Sequence, residues 1–417
     1  MKRDIKYDLV IIGASGFTGK LVVEYLLKEY GAVNKEFTWA IAGRNHEKLY
    51  ALRKKFEKID PLAKELNILI SNNHDITSLD KITSVSRLII TTVGPYLKYG
   101  KLLVESCVRN GTHYCDLTGE VPFIRESIDS FDSLAKDNKC RIIHSCGFDS
   151  VPSDVGVFFL QKHSISKYKT PCDEIKLYVR ATRGGLSGGT IDSMINISDY
   201  IKNRPKLAGL LGHPYALNPT LQSFKSSDKS SLRTIKWDEE MMLWTAPFIM
   251  SGINTRVVRR SNALLNFKYG NNFKYAEVSS FSKGMLGFIK SLYLLTGIGL
   301  VKMFLSYSFS LWVIRKFFLP SPGEGPSRND REEGYFKLLL VGKINGEKKV
   351  SVTISGDRDP GYAGTAKMLA ESALCILLEK KDIPKSYGVM TPACGFGDVI
   401  IGRLKNKGIV FRIDELF

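Results

Sequence analysis

An apolar run that leads directly into three evenly spaced glycines is the feature that most constrains the fold of this chain. Residues 9–12 read Leu-Val-Ile-Ile, and Gly13, Gly16 and Gly19 follow within the sequence GASGFTG. Glycine adopts backbone angles that other residues avoid and lets neighbouring groups approach closely. The pattern therefore predicts a buried strand, a tight turn and a helix, in that order.

The first 150 residues repeat this order of strand and helix. Further short apolar runs lie at residues 38–42, 66–70, 88–93, 112–117 and 141–146. Strands that alternate with helices are typical of a parallel sheet that is covered by helices on both faces. We therefore expect residues 1–150 to form a doubly wound, Rossmann-type α/β domain.

The pattern changes after residue 150. Residues 174–182, 333–344 and 349–355 are longer and alternate between apolar and polar, and Asn345-Gly346 predicts a hairpin turn between the last two. We expect residues 151–417 to form a second, α+β domain with a mostly antiparallel sheet. This domain is the candidate for substrate binding and for contacts within a homodimer. Its C-terminal part is a candidate for packing back on the first domain.

The glycine turn predicts a bound dinucleotide. A helix that starts directly after such a turn offers unpaired backbone N–H groups to a pyrophosphate, and its dipole favours the negative charge. Residues 42–44 (Ala-Gly-Arg) end the second apolar run, and no acidic residue follows until Glu47. An acidic residue there usually holds the ribose of NAD, whereas Arg44 can hold a 2′-phosphate through two hydrogen bonds. We therefore expect NADP(H) rather than NAD(H).

Residues that follow the third and fourth runs are further candidates for cofactor contacts. Asp75 follows the third run and suits either a contact with the adenine or the cap of the next helix. Gly94, Pro95 and Tyr96 end the fourth run, where the backbone would come close to the nicotinamide ribose. Pro95 also stops a strand, so a purely structural role explains it as well.

The sequence does not fix the catalytic acid. The Tyr-x-x-x-Lys spacing of short-chain reductases occurs only at Tyr50 and Lys54, on a predicted helix at the adenine end, where we interpret it as accidental. Tyr96, Tyr99 and Asp149 are candidates because they lie near the predicted carboxyl edge of the sheet, although packing or capping explains each of them as well. Ser-His-Asp and Cys-His arrangements do not occur in a plausible order, which disfavours hydrolysis.

Composition and charge bound the partners of the chain. The seven cysteines are scattered without a Cys-x-x-Cys pair, and the six histidines form no His-Glu-x-x-His motif, so we expect no metal and a reducing compartment. The net charge of +18 either favours anionic partners or reflects lysines spread over a solvated surface. No RNA-binding motif accompanies these lysines, so we expect no nucleic acid. The first apolar run is too short for a secretion signal, so we expect a protein that is not secreted.

These motifs resemble the saccharopine dehydrogenase-like oxidoreductases, a family that includes the bacterial trans-acting enoyl reductases. The resemblance lies in stretches along nearly the whole chain: GASGFTG (13–19), AGR (42–44), VGPYLKYGKLLVESCVRNGTHYCDLTGE (93–120), CGFDSVPSD (146–154), GGT (188–190), SPGEGPS (321–327) and GVMTPACGFG (388–397). It implies an NAD(P)-binding Rossmann domain and a second α+β domain. It also implies that the turn and the strand ends hold the cofactor, through Gly13, Ser15, Gly16, Phe17, Thr18, Gly19, Arg44, Gly94 and Pro95.

The resemblance leaves the substrate open. Saccharopine reductases act on an amino acid with several carboxylates, and this chain shows no evident arginine cluster for such a substrate. The arginines that could be considered are Arg180, Arg183, Arg256, Arg259 and Arg260. Family members that resemble this chain associate with lipid droplets or membranes in animals and with glycolipid synthesis in bacteria.

A hydrophobic segment, residues 281–319, favours a membrane surface. Its central part, 291–314, carries Lys302 as its only charge. A helix of that length could cross a bilayer, but a lysine at the bilayer centre costs about 2.5–3.5 kcal/mol. We therefore favour two shorter helices that turn near Lys302 and lie in the interface. A helix buried against the second domain is the alternative, and a true span is disfavoured.

We therefore expect an NADP(H)-dependent reductase of a hydrophobic, lipid-like carbonyl or enoyl substrate. It would work at the cytoplasmic face of a membrane or lipid droplet and take a hydrophobic small molecule or a lipid as substrate. One alternative is a non-enzymatic protein of that surface, which keeps the Rossmann fold as a scaffold. A second alternative is a saccharopine dehydrogenase of lysine metabolism.

Overall fold

Two seven-stranded sheets organise the part of the chain that the computed structural model describes. The described residues are 3–148, 150–184, 196–197, 200, 209, 212–219, 232–306, 325 and 327–415. The first sheet is parallel and comes mainly from the N-terminal third, and the second is mostly antiparallel. This arrangement confirms the predicted fold class.

The first sheet is a doubly wound parallel sheet. Its strands are β1 (Tyr7–Ile12), β2 (Trp39–Gly43), β3 (Asn67–Ile70), β4 (Ser86–Thr91), β5 (His113–Cys115), β6 (Arg141–Ile143) and β13 (Gly388–Met390). Their order is β13-β6-β5-β4-β1-β2-β3, and every neighbouring pair is parallel. The strand order reverses between β4 and β1, so a crevice opens there at the carboxyl ends of the strands, where such sheets bind ligands.

Helices cover this sheet, and two of them begin at side-chain caps. They are α1 (Phe17–Tyr30), α2 (His46–Phe56), α3 (Ile76–Thr83), α4 (Tyr96–Tyr99), α5 (Lys101–Arg109) and α6 (Val121–Asp137). The Asn45 side chain accepts a hydrogen bond from the Lys48 N–H at 2.8 Å and so caps α2. In the same way, Asp75 caps α3 by accepting from the Thr77 N–H at 3.0 Å. Each cap satisfies a backbone donor that the helix itself leaves unpaired.

The second sheet contains one parallel pair among antiparallel ones. Its strands are β7 (Glu174–Arg183), β8 (Lys236–Asp238), β9 (Leu243–Pro247), β10 (Lys274–Phe281), β11 (Tyr335–Ile344), β12 (Glu347–Gly356) and β14 (Val410–Glu415), in the order β14-β12-β11-β7-β10-β9-β8. Only β7 and β10 are parallel among these pairs. Asn345 and Gly346 join β11 to β12 with φ of 53° and 82°, which confirms the predicted hairpin.

The C-terminal helices connect the two sheets. The described helices after β6 are α7 (Val151–Tyr168), α8 (Ser251–Leu264), α9 (Met285–Ser306), α10 (Arg328–Glu332), α11 (Thr365–Leu378), α12 (Pro392–Phe396) and α13 (Asp398–Asn406). Nearly every side chain of α11 is buried, because α11 packs against α1 and against β4 and β5. A single apolar core therefore runs between the sheets.

The hydrophobic segment differs from its prediction. Helix α9 continues through Lys302, so the expected turn at that residue is wrong. Lysine is a good helix former, and no proline or glycine lies between residues 300 and 306 to interrupt the hydrogen bonds. Residues 307–319 of the predicted membrane segment lie outside the described residues. Within the described part of the chain, no helix combines the length and apolarity needed to span a membrane.

Candidate functional site

The turn between β1 and α1 requires glycine for steric reasons. Gly13 has φ of +88°, and a Cβ atom there would lie 2.7 Å from the Val93 side chain. A Cβ atom on Gly19 would lie 2.1 Å from the Gly13 carbonyl oxygen, far inside van der Waals contact. The Thr92 hydroxyl donates a hydrogen bond to the same carbonyl oxygen at 3.3 Å. Strand β1, helix α1 and the end of β4 thus meet more closely than any side chain would allow.

This packing leaves a row of backbone donors available in the turn. The Gly13 and Ala14 N–H groups donate to Ala42, and the Gly16 N–H donates to the Gly13 carbonyl at 2.9 Å. The next N–H groups have no acceptor among the described residues: those of Ser15, Phe17, Thr18 and Gly19. Unpaired donors at a helix N-terminus suit an anion, so the cradle fits the pyrophosphate of a dinucleotide.

The end of β2 lies beside this turn. A Cβ atom on Gly43 would lie 3.8 Å from the Ser15 hydroxyl oxygen, which places Arg44 next to the cradle. Arg44 is exposed and makes no ion pair or hydrogen bond within the described residues. Its guanidinium is therefore available to a 2′-phosphate, as the sequence predicts for NADP(H).

The next strand end supplies a cap and a buried hydroxyl. Asp75 is exposed and caps α3 through its carboxylate, the alternative role that the sequence left open for it. The Ser71 N–H donates to the Gly43 carbonyl at 3.0 Å, so β3 is tied to β2 at this edge. The Ser71 hydroxyl is buried without a hydrogen-bond partner in the described structure.

Tyr96 holds the ends of two neighbouring strands together. Its hydroxyl donates to the Thr91 carbonyl at 3.2 Å and accepts from the Leu117 N–H at 3.3 Å. The backbone N–H groups of Tyr96 and Leu97 donate to the Glu120 carboxylate at 2.8 and 2.9 Å. Tyr96 and Pro95 are buried, whereas Gly94 is exposed at the crevice. These contacts fix the loop that follows β4.

The two catalytic candidates that the structure describes, Tyr96 and Tyr99, lie on different sides of the crevice. The Tyr99 ring lies 5.1 Å from the His74 ring, and the Tyr99 carbonyl accepts from the Asn73 side chain at 3.1 Å. Both contacts place Tyr99 on the β3 side of the crevice, whereas Tyr96 lies between β4 and β5. Asp149 lies outside the described residues. The assignment of a proton donor therefore stays a prediction.

A buried row of polar side chains was missed by the sequence analysis. The His144 ring lies 2.7 Å from an Asp116 oxygen through Nδ1 and 2.9 Å from the Ser127 hydroxyl through Nε2. These contacts are those of a serine hydrolase triad, an arrangement that the order of the three residues along the chain did not indicate. All three side chains are at most 2% exposed, so no substrate reaches them. The row connects β5 and β6 to α6 and is structural.

Apolar side chains of the second domain pack against the residues that follow β5 and β6. The Phe148 N–H donates to the Thr365 hydroxyl at 3.0 Å, and the Phe148 ring lies 4.9 Å from the Phe336 ring. On the β5 side, a Cβ atom on Gly119 would lie 3.7 Å from the end of the Met250 side chain. The residues after β5 and β6 therefore contact an apolar layer, whereas the turn after β1 offers backbone donors.

Comparison with known proteins agrees with this architecture. Residues 9–143 match the saccharopine dehydrogenase NADP binding domain. A protein of Mycobacterium tuberculosis, named provisionally as a trans-acting enoyl reductase, is 35% identical over 99% of this chain and 98% of its own. The trans-acting enoyl reductase of Mycobacterium ulcerans is 32% identical over the same shares.

The fold is also found in a solved structure. Apo saccharopine dehydrogenase (L-Glu forming) from Saccharomyces cerevisiae aligns over 99% of this chain and 100% of its own, with a TM-score of 0.50 and 14% identity. At that identity the likeness concerns the fold alone. The full-length similarity to the mycobacterial proteins extends beyond the nucleotide-binding domain. The chain belongs to the saccharopine dehydrogenase-like oxidoreductase family, together with the trans-acting enoyl reductases.

Proposed function

We propose that this protein is an NADP(H)-dependent reductase of a hydrophobic, lipid-like carbonyl or enoyl substrate, and that it works at a membrane or lipid-droplet surface. The observation that carries the proposal is the cradle of unpaired N–H groups after β1, with Arg44 beside it. The names of its closely similar relatives as enoyl reductases favour reduction of a carbon–carbon double bond.

The residues of the crevice divide the binding of NADPH between them. The N–H groups of Phe17, Thr18 and Gly19 would hold the pyrophosphate, and Arg44 would hold the 2′-phosphate. Gly94 would allow the nicotinamide ribose to approach the backbone after β4. When bound there, NADPH supplies the hydride.

Arginine contacts argue against a substrate with several carboxylates. The guanidinium groups of Arg256, Arg259 and Arg260 donate to the backbone carbonyls of His213, Pro214 and Leu217. Arg260 is fully buried, and burial lowers its pKa to about 10. Three of the five arginines considered for saccharopine therefore hold the chain around residues 213–217. An apolar substrate needs no such arginines.

The surface of α9 supports a lipid environment. Helix α9 contains no acidic residue. Its exposed large apolar side chains are those of Met285, Leu286, Ile289, Leu292, Tyr293, Leu300 and Met303. Beside its first turn, the Trp244 ring lies 5.0 Å from Phe288 and 5.2 Å from Trp237. Half-buried tryptophans next to lysines and an apolar helix are typical of an interfacial anchor.

The proposed anchor is close to the crevice along the chain. Trp244 lies in β9, and Met250 follows it by six residues, a distance of at most about 20 Å even if fully extended. We therefore expect a lipid substrate to extend from the membrane surface toward the crevice.

NADPH consumption by the purified protein tests the proposal. We expect oxidation of NADPH with long-chain enoyl or ketone substrates presented in lipid vesicles, and little oxidation with short-chain ones or with NADH. Saccharopine serves as the matched polar substrate and should give no turnover. Vesicle binding without NADPH binding would contradict the reductase and leave the non-enzymatic surface protein, and turnover of saccharopine would contradict the lipid substrate.

A further inference from the structure

Residues of the second domain contact the glycine turn at the side chain of Phe17. Phe17 is the first residue of α1 and follows Gly16 directly. A Cβ atom on Gly325 would lie 2.5 Å from the Phe17 ring, so the backbone of Gly325 presses on it. The Tyr362 ring meets the Phe17 ring edge-on at 4.7 Å. Phe17 is therefore the point at which the second domain reaches the cradle.

A cation accompanies this contact. The Arg331 guanidinium lies over the Phe17 ring, 5.4 Å from its centroid. Arg331 belongs to α10, and its Nε donates to the Ser327 carbonyl at 3.3 Å. Its two terminal amino groups have no hydrogen-bond partner among the described residues. The contact with the Phe17 ring therefore holds Arg331 at the cradle, and the terminal amino groups of Arg331 remain available as hydrogen-bond donors.

One carboxylate lies near this arginine, but the backbone already engages it. Asp359 accepts hydrogen bonds from the Tyr362 N–H at 2.8 Å and the Gly361 N–H at 3.4 Å. Its own N–H donates to the Arg331 carbonyl at 3.2 Å, which fixes α10 against the turn at Pro360–Gly364. Asp359 is nearly fully buried, and burial raises its pKa, while its backbone hydrogen bonds and the charge of Arg331 act in the opposite direction. Asp359 forms no ion pair with Arg331 among the described residues, so the terminal amino groups of Arg331 remain available to an anion at the cradle.

The position of Phe17 decides which part of a dinucleotide Arg331 can reach. A pyrophosphate bound at the N-terminus of α1 lies next to the first helical residue, whereas the 2′-phosphate lies at the end of β2 near Arg44. A side chain at a helix start also points back toward the preceding turn. A guanidinium stacked on the Phe17 ring is therefore at the pyrophosphate and not at the 2′-phosphate.

We propose that Arg331 is a pyrophosphate ligand, delivered from the second domain across the glycine turn to clamp bound NADP(H). This inference rests on the proposed function, because it requires a dinucleotide in the cradle. Arginine matches phosphate oxygens through two parallel N–H donors, and the Phe17 ring orients it before the ligand arrives. The clamp thus couples cofactor binding to the contact between the domains.

Titration of NADPH fluorescence with Arg331→Ala tests the clamp. Hydrogen bonds to charged groups contribute enough that we expect the dissociation constant for NADPH to rise about tenfold or more. Adenosine 2′-phosphate, which lacks a pyrophosphate, should compete equally well against the parent and the variant. Arg331→Lys keeps the charge but lacks the two parallel N–H donors, so its dissociation constant for NADPH should lie between those of the parent and of Arg331→Ala. Arg358→Ala is the matched control, because Arg358 is exposed and contacts the Glu332 carbonyl of the same helix.

The outcomes separate the clamp from the reductase. If the parent binds NADPH and Arg331→Ala binds it with the same dissociation constant, the clamp is wrong and the proposed function stands. If Arg331→Ala weakens both ligands equally, Arg331 acts through the fold, and the pyrophosphate assignment is overturned. If the parent itself binds no NADPH, the proposed function fails and the clamp fails with it.

Discussion

The three glycines of the turn differ in what a side chain would meet. At Gly13 and Gly19 a Cβ atom would meet atoms closer than 3.0 Å, including the Gly13 carbonyl in the second case. At Gly16 a Cβ atom would meet only that carbonyl, at 3.2 Å. Gly13 and Gly19 therefore serve the packing of β1, α1 and β4, whereas Gly16 keeps the surface open to a ligand.

Gly19→Ala should lower stability because the methyl group would meet backbone that cannot move aside. We expect a loss of about 1–3 kcal/mol in the free energy of unfolding, measured by urea denaturation. Gly402→Ala is the matched control, since Gly402 is also helical but has nothing within 4 Å of its Cβ position. That variant should gain about 0.5–1 kcal/mol. Equal effects at the two positions would contradict the close approach at Gly19.

Arg44→Ala should weaken binding of NADPH selectively. Loss of a two-bond contact to the 2′-phosphate is expected to raise the dissociation constant for NADPH by about 10–100-fold and that for NADH by less than about twofold. Lys48→Ala removes a neighbouring exposed cation and should leave both values unchanged. A parallel loss for NADPH and NADH would show that Arg44 does not contact the 2′-phosphate.

Single residues were predictable where their role is local. The turn glycines pack within a few residues of the strand they follow, so their spacing in the sequence identifies them, whereas the role of Arg44 stays a prediction. Glu120 bonds backbone groups that lie 24 and 23 residues earlier, and His144 meets Ser127 from a different element. Such roles depend on how the strands are ordered in the sheet, which no local pattern records.

Among the elements, α9 departs most from what a helix of a globular domain shows. It packs against β9 and β10, yet many of its apolar side chains remain exposed, including Leu292 and Tyr293. The sequence predicted the apolar segment but placed a turn at Lys302, because the cost of a buried charge was taken to break the helix. Helix α9 instead runs on through this residue, because lysine itself favours a helical backbone.

Leu292→Glu combined with Tyr293→Glu should abolish binding to vesicles that contain anionic lipid. Removing two apolar side chains from the interface is expected to weaken partitioning by about 100-fold, as measured by flotation. The dissociation constant for NADPH should not change, since neither side chain approaches the crevice. Val33→Glu places the same charge at another exposed apolar site and should float like the parent. Flotation of the double variant would rule out α9 as the anchor.

At the scale of the whole molecule, the C-terminal residues join the two sheets. Strand β13 extends the first sheet beside β6, and α11 covers the other side of the core. Glu371 on α11 is fully buried and accepts hydrogen bonds from Tyr25 and Tyr30 of α1 at 2.7 and 2.8 Å. Arg403 of α13 donates to the same carboxylate at 2.8 Å. The helix that begins at the cradle is thereby fixed to the second domain.

A buried carboxylate on α7, that of Asp154, should make the free energy of unfolding depend on pH. Burial raises the pKa of Asp154 to about 7, although Ser261 and the Ala393 N–H donate to it. The folded state then holds a proton that the unfolded state has lost, so the free energy of unfolding falls as pH rises from about 4 through 7. Glu277, whose pKa burial also raises to about 7, adds a decline of the same sign.

Asp154→Asn should remove part of this decline. The amide cannot ionise, and it can accept from Ala393 while donating to Ser261, so we expect roughly 1 kcal/mol or more of added stability at pH 8. At pH 4 the variant and the parent should be similar, as measured by thermal unfolding across this range. Asp382→Asn alters an exposed carboxylate and serves as the control. An unchanged slope in Asp154→Asn would contradict a protonated Asp154.

The alternation of strand and helix segments in the sequence predicts the two sheets, but it does not predict that β13 pairs with β6. Apolar runs separated by helical segments predict the parallel sheet, and Asn345-Gly346 predicts the hairpin of the second. Nothing local in residues 388–390 indicates that they pair with β6, since a three-residue strand has too little pattern to identify its partner. The contact of Arg331 with Phe17 is likewise invisible until both domains are in place.

A crystal structure of the protein with NADP⁺ tests the central claim most directly, that the crevice after β1 and β4 receives a phosphorylated dinucleotide. The account predicts the pyrophosphate within hydrogen-bond distance of the Phe17 and Thr18 N–H groups and the 2′-phosphate on Arg44. A crevice that stays empty in excess NADP⁺, or a nucleotide bound elsewhere on the chain, would contradict it.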